Sequence, residues 1–202
     1  MRTQLSAHDD ERGVTLIELI IYMLLAAVFL VIVSAIFING WLSQAATADR
    51  DAATGNANLV TASLQQSIRN ASAVHQPAGM GNAVTAVVAI GDAADSQCRA
   101  WVWTLDTAAS SEDADRDHYQ LRYATSGAAI DMTRTDGVGW ATLASAVVPK
   151  GDPAPSFTVT STTGLTYSFA AESNDRSKDS QPVQVDGSVT AQAVIPGGRS
   201  CW

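Results

Sequence analysis

Histidine, lysine and cysteine are scarce in this chain, and each scarcity removes a class of explanation. Of three histidines, only His75 and His118 lie beyond the first dozen residues. They read as structural or exposed groups, one at a helix end and one at a strand start. No Gly-x-Ser-x-Gly, His-Glu-x-x-His, phosphate-cradling glycine loop or Ser-x-x-Lys occurs. Enzymes that carry those signatures are excluded, and the sequence reads as a non-enzyme that needs no cofactor. Lysine is limited to Lys150 and Lys178. From Asn39 onward ten Lys and Arg face sixteen Asp and Glu, within a net charge of −8 for the whole chain. Non-specific binding to nucleic acid or anionic lipid rests on cationic patches, so neither is expected. No proline precedes Pro77, so no proline can break a helix in the first third of the chain.

The two cysteines are Cys98 and Cys201. If the C-terminal part is exported, they can form one disulfide around a loop of about 100 residues, worth roughly 4–5 kcal/mol in the chain-entropy model. The bond would tie down a tail that otherwise frays. Two unpaired buried thiols are the alternative.

What the chain does have is a long apolar run. From Val14 to Ile38 the polar side chains are Thr15, Glu18 and Ser34, with Tyr22 amphipathic. As a helix this run is roughly 37 Å long, enough to cross a hydrocarbon core of about 30 Å with tilt. A buried core helix is seldom so long and apolar. A cleavable secretory signal has a shorter apolar core ending in a small-x-small site, and Asn39-Gly40-Trp41 is not one. Arg2 and Arg12 precede the run and the next basic residue is Arg50, which puts the N-terminus in the cytoplasm. Glu18 is the one acid in the segment, and an acid there is costly enough to mark a functional site.

The string Arg12-Gly13-Val14-Thr15-Leu16-Ile17-Glu18, placed directly before an apolar helix, resembles the start of a type IV prepilin. In that family a membrane-embedded prepilin peptidase cuts after the glycine and methylates the new N-terminal residue. The resemblance therefore implies a cut between Gly13 and Val14 and N-methylation of Val14, where most members have Phe. Glu18 lies about 6 Å along the helix from Val14. In a filament its carboxylate can pair with the Val14 amine of a neighbouring subunit. The alternative is that Glu18 snorkels to the cytoplasmic interface and only anchors the helix.

Beyond Ile38 the helix is expected to continue. Asn39-Gly40 forms a weak point and Gly55-Asn56 a kink or short break. Val60, Leu64, Ile68 and Ala71 recur at helical spacing and predict an amphipathic helix on a sheet, running to about Val74. From Ala83 the period changes to two. Trp101, Trp103 and Leu105 alternate with Val102 and Thr104, and Tyr119, Leu121 and Tyr123 with Gln120 and Arg122. Phe157 and Val159 lead through Ser161-Thr162-Thr163-Gly164, a hairpin turn, to Leu165, Tyr167 and Phe169. Val189, Ala191, Ala193 and Ile195 read as a late strand. The fold class is α+β: a long N-terminal helix, transmembrane in its first half, packed on an antiparallel sheet. The expected divisions are a leader over 1–13, the membrane helix over 14–38, helix continuation and linker over 39–76, and a β-rich domain over 77–202. Asp113-x-Asp115-x-Asp117 begins like a calcium loop, but His118 and Ala124 stand where its glycine and final acid belong. It reads as a solvated acidic loop, with no metal.

Taken together, the resemblance implies a single-pass protein of the cytoplasmic membrane, its C-terminal domain outside, that enters an extracellular filament. Its partners would be prepilin peptidase, other pilin subunits and membrane lipid, with no nucleic acid. The layout is closest to a minor pilin. A secretion-system pseudopilin, a tip pilin for DNA uptake or adhesion, and a membrane-anchored enzyme are the other readings. Arg99, Arg122 and Arg134 on one face would favour DNA. A deep pocket joining His118 to several acids would favour an enzyme.

Overall fold

The structure, a computed structural model, describes residues 15–91, 95–112, 117–150, 154–172, 182–195 and 200–202, without the side chains of 111 and 112. Contacts divide the chain into two units, Met1–Ala45 and Ala46–Trp202. The helix α1, Leu16–Arg69, runs from the first unit into the second.

In the first unit α1 is apolar on every side and bare. Leu16 is 78 % exposed, and Ile20, Leu24, Phe29, Ile32 and Phe37 are exposed as well. A helix apolar all round needs an apolar surround. By length and composition α1 is long and apolar enough to cross a membrane. Neither expected break interrupts it: Gly40 and Gly55 are both helical. A single interior glycine costs only about 1 kcal/mol, and a helix of 54 residues carries that cost by propagation from both sides.

Among its described residues, the second unit holds the remainder of α1 and a sheet of eight antiparallel strands. The strands are β1 (Ala71–His75), β2 (Ala83–Ala89), β3 (Ser96–Leu105), β4 (Tyr119–Ser126), β5 (Trp140–Val148), β6 (Ser156–Val159), β7 (Gly164–Ala171) and β8 (Val183–Thr190). A short helix, α2 (Thr107–Glu112), follows β3. The order is β1-β2-β3-β4-β5-β7-β6, and β8 pairs with β7. The architecture is the expected α+β one.

Helical spacing on α1 and two-residue spacing on the strands put their apolar sides in one core. Ala57, Val60, Leu64 and Ile68 meet Val84, Trp101, Trp103, Leu121, Leu165 and Phe169 there. Each Val, Leu or Ile among them contributes roughly 1.5–3 kcal/mol on burial. Trp103 stacks on Phe157 with centroids 5.4 Å apart. A polar bond also joins helix to sheet: Arg99 donates to Ser67 Oγ at 2.8 Å. Leu105 follows the alternation but is 45 % exposed, beyond the edge of this core.

Two element boundaries differ from expectation. Helix α1 stops at Arg69, and Ala71–His75 is already strand β1. The terminal carbonyls explain the stop, because a helix end needs partners for them. Gln192 N–H donates to Arg69 O at 3.1 Å, and Ala89 N–H donates to Asn70 O at 2.8 Å. The late strand is also earlier than expected, Val183–Thr190. Ala191 and Ala193 lie beyond it, donating to Thr163 O and Ala71 O. His75 thus ends a strand rather than a helix.

Cys98 and Cys201 are joined by a disulfide with Cα atoms 5.5 Å apart. The bond packs with Val87 on the side of the sheet away from α1. The next residue, Trp202, stacks on His75 with ring centroids 4.7 Å apart.

Candidate functional site

Thr15 opens α1. Its hydroxyl accepts from Glu18 N–H at 3.4 Å and its carbonyl accepts from Leu19 N–H at 3.2 Å. This is an N-cap, and Thr-x-x-Glu is the pattern of a capping box. In a full box the glutamate turns back to the threonine N–H. Here Glu18 turns the other way, and Oε1 accepts from the Tyr22 hydroxyl at 3.0 Å. The carboxylate is therefore not consumed by the cap. Its position in the first helical turn also places a negative charge at the positive end of the helix dipole.

Glu18 is half-buried amid exposed apolar neighbours. Among the described residues from Leu16 to Val33, Glu18 and Tyr22 are the two polar side chains. The sequence reading singled out Glu18 and missed its bond to Tyr22. The available signal was spacing, since residues four apart share a helix face. Gly13 and Val14, the expected cleavage and methylation positions, lie outside the described residues.

In the second unit, His118 and Glu172 form a pair that sequence reasoning did not bring together. His118 Nδ1 lies 3.9 Å from Glu172 Oε2, and the side chains are 1 % and 4 % exposed. Glu172 N–H donates to Ala146 O, and its own carbonyl accepts from Asn56 of α1. The pair is buried where the backbone of Glu172 bonds to β5 and to α1. Two open cavities, of about 550 and 410 Å³, lie against β6–β8 and against α1 near Arg69, and neither is lined by His118. The pocket that would favour an enzyme is thus not formed by these cavities.

Arg99 and Arg122 fall on opposite sides of the sheet. Arg99 shares the helix-facing side with Trp101, and Arg122 stands opposite Val102 on the other side. The arrangement that would favour DNA is not met. Of the calcium-like string, Asp113 and Asp115 lie outside the described residues. Among the described residues, no three His, Cys, Asp or Glu side chains cluster as a metal site.

Residues 9–34 match the family model described as the prokaryotic N-terminal methylation motif, the type IV prepilin signature. No curated protein and no solved structure matches the chain. The chain thus carries the prepilin signature at the head of an exposed apolar helix. The motif supports a type IV pilin- or pseudopilin-like protein and suggests a structural role rather than a catalytic one. It implies processing by prepilin peptidase and assembly with other pilins, and it fits a single-pass membrane anchor.

Proposed function

We propose that this protein is a structural subunit, of the minor-pilin kind, of a type IV pilus-like filament. The observation that carries the proposal is the methylation motif at residues 9–34 leading into a bare apolar helix. Prepilin peptidase cuts between Gly13 and Val14 and methylates Val14. The N-terminus faces the cytoplasm, and the disulfide-bonded sheet unit lies outside, where disulfides persist.

Cleavage creates a cationic amine at Val14. An unpaired carboxylate in lipid is unfavourable, and pairing with that amine on a neighbouring subunit offsets part of the penalty. Glu18 thereby biases the subunit toward assembly and sets its axial register. Glu18→Ala tests this in cells that assemble the filament. The variant should be cleaved and inserted normally but recovered poorly in sheared filaments. Wild-type recovery would contradict the role given to Glu18.

A further inference from the structure

The Tyr22–Glu18 bond carries a consequence for assembly that the motif alone does not contain. Side chains on a helix tilt toward its N-terminus, so a residue four positions on reaches back over the earlier one. Tyr22 does this, and its hydroxyl donates to Glu18 Oε1 at 3.0 Å. Among the described residues nothing donates to Oε2. Glutamate is one of the side chains with most rotamer freedom to lose on being fixed. A hydrogen bond to an ionised carboxylate is also stronger than a neutral one.

We infer that Tyr22 is a positioning residue for the assembly contact, holding Oε1 so that Oε2 faces the ammonium of an arriving copy of this chain. This rests on the pairing of Glu18 with the Val14 amine proposed above. Tyr22 performs two tasks here. It partly replaces the water that the carboxylate loses in lipid, and it fixes the carboxylate before the partner arrives. The ring alone would do neither, since an interfacial tyrosine that only anchors a helix needs no acceptor on its own helix.

The test uses the full chain in filament-assembling cells, with Tyr22→Phe, Tyr22→Leu, Glu18→Ala and the Glu18→Ala/Tyr22→Phe double variant. Tyr22→Phe should be cleaved like wild type and recovered in filaments at least about tenfold less, the effect of one hydrogen bond to a charged group. Tyr22→Leu should match Tyr22→Phe, and the double variant should be no worse than Glu18→Ala alone. In the detergent-purified chain, the infrared carboxylate band of isotope-labelled Glu18 should shift in Tyr22→Phe. Wild-type recovery of Tyr22→Phe while Glu18→Ala fails would overturn the role of Tyr22 and leave the Glu18 pairing standing. A double variant worse than Glu18→Ala, a Tyr22→Leu defect without a Tyr22→Phe defect, or an unshifted band would overturn it too. Wild-type recovery of Glu18→Ala would instead remove the underlying pairing.

Discussion

Gly187 of β8 stands directly opposite Tyr167 of β7, and a Cβ at Gly187 would run into the tyrosine ring. Tyr167 is 3 % exposed, and its hydroxyl accepts from Gln65 of α1 at 3.3 Å. Gly187→Ala should therefore destabilise the protein by about 1–3 kcal/mol, the usual cost of overpacking. Denaturant unfolding of the detergent-solubilised chain measures it. A midpoint equal to wild type would show that β8 yields more easily than this packing allows.

The disulfide and the aromatic stack beside it act on the same tail. Cys201 is bonded to Cys98, and Trp202 lies flat on His75 with the planes 17° apart. Replacing both cysteines by serine should lower stability by about 2–5 kcal/mol. Near-ultraviolet circular dichroism should lose the signal of the Trp202–His75 stack. Retention of both the stability and the stack would show that hydrogen bonds at Ala191–Ala193 suffice to hold the tail.

Asp186 predicts an acid-side pH dependence. Hydrogen bonds from Lys150 and Ser168 hold its carboxyl below the usual carboxylate range. The folded value is thus lower than the unfolded one, so the folded chain binds fewer protons as pH falls. The resulting stabilisation is present above the unfolded value of about 4. It is lost as pH drops through the lower folded value. Asp186→Asn should flatten the fall of the unfolding midpoint in that window. Parallel profiles for the two proteins would remove Asp186 as a cause.

Much of this architecture was legible because two periodicities are clean. The apolar run after Gly13 is longer than the apolar core of a cleavable signal, and Trp101/Trp103 and Tyr167/Phe169 alternate as half-buried strands do. The end of α1 was hidden because Ala71 continues the helical stripe of Val60, Leu64 and Ile68 while serving as the first buried residue of β1. What stops the helix is distant in sequence: the backbone of Gln192 and Ala89. Strand β8 was placed late because Gly187 interrupts the alternation of Val183, Val185 and Val189, and its small size is required by Tyr167. His118 follows an acidic run and reads as a structural or exposed group; it is buried beside Glu172, a partner 54 positions away that no local pattern reveals. In the candidate site, Glu18 stood out because a lone acid in an apolar run is conspicuous. Tyr22 did not, because a tyrosine near a membrane surface is ordinary.

The central claim is that this chain is processed for filament assembly, and the mature N-terminus tests it most directly. Intact-mass and N-terminal peptide mass spectrometry on protein from cells with an active prepilin peptidase should find a chain beginning at Val14 and carrying one methyl group. A chain that still begins at Met1 in those cells would contradict the account and leave the apolar helix as a plain membrane anchor.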